Sequence, residues 1–404
     1  MTERLYYDDP YKREFDATVI SVQPYEHNDA PAGRHAVRLD RTAFYPTTGG
    51  QPFDTGRMNT SRVVDVFDDE GGDVVHIVEG TAPQVGDAVH GTIDWPRRFD
   101  HMQQHTGQHM LSAAFVRLFG VKTVSFHLGA DASTIDLARE VTPKEIASAE
   151  DDANRVVWED RPVAIRYASS EEAAALPLRK EPKRSGTLRL IDVEAFDLSA
   201  CGGTHVSRTG AIGVIAVTAW ERFKGGYRLE FLCGGRALGR LRLLRDVTTA
   251  TVRALSVLPG DIPAAVDRLQ AEVKEGKRLL TDAHSALARY EALELAQAAE
   301  PQPWGNLVLN ALDADAAQLK SLALAIVPQS GFLVVLISKS LPRVVVAARS
   351  ANVTIACNDV VGGLAKRFGG RGGGKPDLAQ GGGLSGSVEE LLSEAKRLIS
   401  VGTP

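Results

Sequence analysis

The stretch RRFDHMQQHTGQHMLSAAFVRLFG, residues 97–120, decides the reading of the chain. His105, His109, Ala113 and Val116 recur at helical spacing, and Gly120 closes the run. Residues four apart on a helix lie on one face, about one turn apart. His105 and His109 therefore present two imidazoles in one direction. Alone, such a pair is more often not a metal site. Far downstream stands a second pair, Cys201-Gly-Gly-Thr-His205. Its two glycines permit a tight turn that brings thiolate and imidazole together. Two histidines, a cysteine and a further histidine form a donor set suited to zinc. His101 sits one turn before His105 and is read as a supporting or packed histidine, because only two consecutive turns readily face one ion. Four protein ligands would close a tetrahedral shell, as in structural zinc. Three readings of the ion follow: it expands to five ligands, one ligand swings off, or it only binds and orients a substrate.

Upstream, residues 1–95 read as a β-barrel domain. AVRLDRTAFYP, RVVDVFDDEGGDVVHIVEG and DAVHGTIDW alternate apolar and polar residues between turn signals. Inside this region lies Phe44-Tyr-Pro-Thr-Thr-Gly-Gly-Gln-Pro52. Gly49 and Gly50 allow a sharp turn with close backbone approach to a ligand, and Gln51 is placed to donate to a carbonyl or hold a water. A hairpin turn without chemistry is the simpler reading of those residues alone.

Downstream, residues 96–253 read as an α+β domain. TVSFHLG, STIDLA, LRLIDVEAFD, GAIGVIAVTAW and YRLEFLCG are strand-like, and PKEIASAEDDANRVVWED is a helix opened by Pro143. Residues 254–300 form a helical linker. Ile262, Val266, Leu269, Val273, Gly276, Leu280, Ala283, Leu287 and Tyr290 alternate spacings of four and three, as in a coiled-coil seam. A single amphipathic helix packed on its own chain fits this series equally. Residues 301–404 read as a small α/β domain, with strands at LVLNAL, FLVVLIS and RVVVAARS, a helix at DAAQLKSLALAI and an amphipathic tail helix. The segment GGRGGGKPDLAQGGG, 369–383, is expected to be too glycine-rich for a packed element. The fold class is thus α+β multidomain: N-terminal β-barrel, α+β zinc-binding domain, helical linker and C-terminal α/β domain.

Composition bounds the function. With 44% hydrophobic and 24% charged residues the chain has an ordinary globular balance. It has no apolar run of about 18 residues and opens without a signal-peptide pattern, so a cytoplasmic protein with no membrane partner is expected. Cys201, Cys233 and Cys357 are too few and too scattered for a disulfide framework. A net charge of -5 means that any nucleic acid must be held by local basic patches. Arg179, Lys180, Lys183 and Arg184 form one cluster, read as a solvated face. Lys366, Arg367, Arg371 and Lys375 form another, threaded by glycines and read as phosphate-binding. HTGQH lacks the glutamate of H-E-x-x-H, which removes the usual base of a metallopeptidase.

FYPTTGGQP, HTGQH and CGGTH together resemble the editing domain of alanyl-tRNA synthetases and its freestanding relatives. GGRGGGKPDLAQGGG resembles the terminal domain that those synthetases share with DHH-type phosphoesterases; the DHH catalytic motif itself is absent. The resemblance implies a hydrolase that clears mischarged tRNA(Ala), chiefly seryl-tRNA(Ala), with glycyl-tRNA(Ala) as a second substrate. It implies one zinc ion per chain on His105, His109, Cys201 and His205, with His105, His109 and Gln51 taking part in the chemistry. Thr48, Gly49, Gly50 and Ser125 would surround the aminoacyl group, with Ser125 or Thr48 sensing the serine hydroxyl. Arg371 and Lys375 would hold tRNA, and the linker and terminal domain would support a homodimer. The alternative is a non-catalytic zinc protein that binds RNA.

Overall fold

A computed structural model describes residues 1–25, 33–179 and 186–401. Its central element is a helix, Trp95–Phe119, beginning two residues before Arg97. Pro96 occupies its first turn, where the missing N–H costs nothing, and Gly120 ends it in the left-handed conformation at φ 64°. Nearly every residue from His101 to Phe115 is buried. A helix enclosed on all sides holds its side chains in fixed positions, which a metal site requires.

The helix grows out of a closed barrel. Its strands follow the order Glu14–Pro24, Arg34–Leu39, Val74–Glu79, Ser61–Asp68, Gly56–Met58 and Ala88–Ile93. Phe15, Val37, Leu39, Phe44, Val63, Val66 and Val78 fill its interior. Arg98, fully buried at the start of the helix, ties it to the barrel. Its guanidinium pairs with buried Asp54 and donates to the carbonyls of Pro10 and Ala43. Breaking such a buried pair on one side costs about 3–5 kcal/mol.

Around the far half of the helix lie two antiparallel sheets. The first has the order Ile215–Phe223, Gly226–Cys233, Ser133–Leu137, Thr123–Leu128. The second has the order Val163–Ala168, Leu188–Val193, Asp197–Ala200. A helix at Pro143–Trp158, closed by a Thr142–Glu145 capping box, packs Ile146, Ala149, Ala153 and Val156 into the same core.

Met1–Ala250 and Thr251–Pro404 form separate compact units, so the division falls inside the helix Gly234–Leu255. In the second unit a six-stranded sheet runs Glu300–Gln302, Gly305–Leu312, Phe332–Ser338, Arg343–Arg349, Leu378–Leu384, Arg371–Gly374. Every residue of Phe332–Ser338 is buried, as befits a strand covered on both faces. Helices Cys357–Phe368 and Val388–Val401 cover one face, and Ala316–Ile326 the other.

The expectation that 369–383 forms no packed element is corrected: both Arg371–Gly374 and Leu378–Leu384 are strands. A Cβ at Gly372 would lie 2.6 Å from Val361 Cγ1 and 3.0 Å from the Gly381 backbone. Glycine is therefore used here to let backbone and helix approach closely, not to loosen the chain. Arg371 and Lys375 are exposed along this hairpin, while Arg367 is paired with Glu394. The helix Ile262–Gln297 turns Ala265, Ala288 and Ala292 inward. Its heptad positions Val273, Leu280, Leu287 and Tyr290 are exposed, so the seam is not packed on its own chain there. Among the described residues no helix is long and apolar enough to cross a membrane.

Candidate metal centre

His105, His109, Cys201 and His205 come together, each offering one ligand atom, and these atoms all lie within 4.8 Å of one another. Cys201 Sγ is 3.4 Å from His105 Nε2 and 3.4 Å from His205 Nε2. A tetrahedral zinc with sulfur at about 2.3 Å and imidazole nitrogen at about 2.0 Å separates those two atoms by about 3.5 Å. The turn that carries Cys201 depends on Gly203, whose Cβ would collide with the His105 ring.

The hydrogen bonds assign the protons on all three rings. Gln51 Oε1 accepts from the backbone N–H of Thr204 at 3.1 Å, while Gln51 Nε2 donates to Thr204 Oγ1 at 2.8 Å. A backbone N–H can only donate, so the amide oxygen is fixed, and His105 Nδ1, 2.9 Å from that oxygen, must carry a proton. His109 Nδ1 lies 2.9 Å from the Asp197 carboxylate and is likewise a donor. Thr106 Oγ1 spends its proton on the Met102 carbonyl at 2.8 Å, so it accepts from His205 Nδ1 at 3.2 Å. Each ring thus turns an Nε2 lone pair to the thiolate. Three lone pairs and a sulfur converging in a buried place repel one another unless a cation sits among them. The residues present fit a soft or borderline divalent ion.

Electrostatics point the same way. Burial alone would raise the Cys201 thiol, but positive charge at His105 and His205, whether from ring protons or from a cation in their place, outweighs it and holds the thiol well below its usual range. Burial, with His105 beside it, lowers His205 to about 3. Burial opposes ionisation of Asp197, yet His109 and Arg179 bring it to about 2, so it is a carboxylate at any ordinary pH. Arg179 Nε donates to Asp197 at 2.6 Å, and Ser199 Oγ donates to the same group at 3.0 Å.

Beside the ligands lies a cavity of about 150 Å³ lined by His105, His109, Cys201, Gly49, Gln108, Thr123, Ser125, Phe126 and Arg179, among others. Liquid water takes about 30 Å³ per molecule, so the space suits a small group, the size of roughly five waters. Phe126 stacks on His105 at 5.3 Å between ring centroids. Gln108 donates to Ser112 Oγ at 2.8 Å, and Ser112 shares a 2.7 Å bond with Thr123. No carboxylate lines the cavity among the described residues.

Gly49 and Ser125 line the cavity, whereas Thr48 does not; its backbone pairs with Gln51. Gly50 packs against Phe126, where a Cβ would lie 3.0 Å from the ring. Gln51 does not line the cavity: it is fully buried, its Oε1 accepts from the Thr204 N–H and His105 Nδ1, and its Nε2 donates to Thr204 Oγ1. Arg179 is also corrected: it is an ion-paired wall residue, not part of a solvated basic face. Lys180, Lys183 and Arg184 lie outside the described residues. His101 stands apart from the ligand group; burial, then Arg97 and Arg236, lower it to about 3, and its Nδ1 has no hydrogen-bond partner among the described residues. Sequence reasoning missed Asp197, Thr106 and Arg189. Arg189 Nη1 grips the carbonyls of Cys201 and Gly203 at 2.7 and 2.9 Å and so holds the turn in shape. Only Thr106 carried a signal, by lying inside HTGQH.

Comparison with known proteins follows the same architecture. Residues 1–97 match the family described as tRNA synthetases class II (A), residues 188–230 the threonyl and alanyl tRNA synthetase second additional domain, and residues 305–401 the DHHA1 domain. The alanyl-tRNA editing protein AlaX-L of Pyrococcus horikoshii is 31% identical over 408 residues, covering 98% of both chains. The chain belongs to the alanyl-tRNA editing protein family. Alanine–tRNA ligases are similar to it as well: that of Methanoregula boonei is 34% identical over 95% of this chain and 42% of its own. That of Pyrococcus abyssi is 32% identical over 94% and 42%. The chain therefore spans about two fifths of those ligases, and nearly the whole of the editing family member.

Proposed function

We propose that the protein is a trans-editing hydrolase that deacylates mischarged tRNA(Ala), chiefly seryl-tRNA(Ala), with glycyl-tRNA(Ala) as a second substrate. The observation that carries this reading is the convergence of three imidazoles and a thiolate, of which His105, His109 and Cys201 line a small cavity. His105, His109, Cys201 and His205 would hold one zinc ion. Bound there, zinc would supply charge stabilisation for the ester carbonyl or a water of lowered pKa. The chain's own residues do the rest. Phe126 and Gly49 limit the cavity, so that a small aminoacyl group fits. Ser125 offers a hydroxyl on the cavity wall, and Gln108, whose Nε2 donates one proton to Ser112, keeps its amide oxygen as an acceptor. A site that bonds the serine hydroxyl disfavours alanine, because alanine leaves that polar group unpaired. Arg371 and Lys375 would contact tRNA phosphates through charge, and the exposed heptad positions of Ile262–Gln297 would serve a homodimer.

The test is deacylation of seryl-, glycyl- and alanyl-tRNA(Ala) by purified protein. Serine should be released fastest and alanine least. A second reading, a zinc protein that only binds RNA, is favoured by the four-ligand set, which by itself closes a tetrahedral shell. Tight tRNA binding without release of any amino acid would establish that reading instead.

A further inference from the structure

Gln51 lies in the barrel's glycine-rich turn, yet its side chain reaches both metal-ligating segments. Oε1 faces His105 Nδ1 on the long helix and the N–H of Thr204 in the CGGTH turn, and Nε2 bonds the Thr204 hydroxyl. Gln51 and Thr204 are both fully buried. We infer that Gln51 is a positioning residue: through it the barrel fixes His105 as the Nδ1–H tautomer and aims its Nε2 lone pair at the metal position.

The Thr204 N–H pins the orientation of the amide, because an NH2 group in the place of Oε1 would meet another donor. Once pinned, the oxygen can only accept from His105. The imidazole keeps its proton on the side away from the cavity, and the opposite tautomer would place a proton between Nε2 and Cys201 Sγ. The glycine-rich turn is held near the ligand by a second bond as well: the Gly50 carbonyl accepts from the Leu128 N–H at 3.2 Å, on the strand whose Phe126 stacks on the His105 ring. The barrel is thus part of the metal site and not a separate module. Asp197 and Thr106 orient His109 and His205 from within the α+β part, so His105 alone depends on the barrel.

The affinity arm of the test rests on the metal reading of the site; the tautomer arm does not. Nitrogen-15 NMR of metal-free wild-type protein should show His105 protonated at Nδ1. Finding the proton on Nε2 would overturn the inference without any variant. For the second arm, zinc affinity is measured by chelator competition. Gln51→Met removes the acceptor at similar size and should weaken zinc by about 10–100-fold. Gln51→Glu keeps an acceptor in place and should retain wild-type affinity or exceed it. Equal affinity for Gln51→Met and wild type, or equal loss in Gln51→Met and Gln51→Glu with the fold intact, would refute the positioning role. If wild-type protein binds no zinc, the metal reading fails, and the tautomer arm still decides Gln51.

Discussion

Replacing Asp197 by asparagine changes one atom and should undo one ligand. Asp197 Oδ1 receives Arg179 Nε at 2.6 Å, and Oδ2 faces His109 Nδ1 at 2.9 Å. Arginine can only donate, so in Asp197→Asn the amide oxygen must turn to Arg179 and the NH2 must face His109. His109 then has to accept at Nδ1, which moves its proton to Nε2, against the metal position. The same kind of inverted tautomer disables a histidine when the aspartate behind it becomes asparagine in hydrolytic triads. Loss of such an orienting partner weakens metal by about 10–100-fold, or roughly 1.4–2.8 kcal/mol. Chelator competition with zinc reads the affinity, and the visible spectrum of the cobalt form reads the ligand count. Because Arg179 forces the amide orientation, Arg179→Met added to Asp197→Asn should free the amide to flip and recover part of the affinity. Wild-type zinc affinity in a folded Asp197→Asn protein would refute the reasoning. Failure of the double variant to recover any would place the loss in packing.

Three further outcomes follow from the geometry. Ser125→Ala should slow seryl-tRNA(Ala) deacylation by about 2–10-fold, the worth of one hydrogen bond of about 0.5–1.5 kcal/mol, and spare glycyl-tRNA(Ala), whereas Thr48→Val should leave that ratio unchanged; steady-state rates on the two substrates decide it. Gly203→Ala should cost zinc binding more than stability, since its Cβ enters the space of the His105 ring; chelator competition beside thermal melting separates the two. His76, buried in the barrel between Thr42 Oγ1 and the Val37 carbonyl, is lowered by burial from 6.5 to about 4. The unfolded chain takes up that proton first, so its contribution is fully present above about pH 6.5 and falls as pH drops towards 4, by about 3 kcal/mol; urea midpoints between pH 4 and 7 should show a shallower slope for His76→Gln.

The four ligands were legible because each pair is local. HTGQH spaces two imidazoles by one helical turn, and CGGTH closes a thiolate on an imidazole through two glycines. What orients them was not legible, because each bond joins distant segments: Gln51 to His105, Thr106 to His205, Asp197 to His109. Glutamine is usually exposed, so nothing in its local sequence marked Gln51 as buried. The helix Pro143–Trp158 announced itself by Pro143; the Thr142–Glu145 capping box that also opens it went unread. By contrast Gly234–Leu255 opens on two glycines and Cys357–Phe368 contains Gly362 and Gly363, poor helix formers that tertiary packing overrides. The glycine strands 371–374 and 378–384 lack the alternation of side chains that betrays a strand, because what they need is the absence of side chains.

On the proposed function, the His105, His109, Cys201 and His205 centre drives release of serine from tRNA(Ala). The most direct measurement is single-turnover hydrolysis of seryl-tRNA(Ala) by one protein preparation: as purified, after chelation, and after return of one equivalent of zinc. Serine release should disappear with the metal and return with it, while tRNA binding persists throughout. Undiminished hydrolysis by the metal-free protein, or none by the zinc-loaded protein, would contradict it.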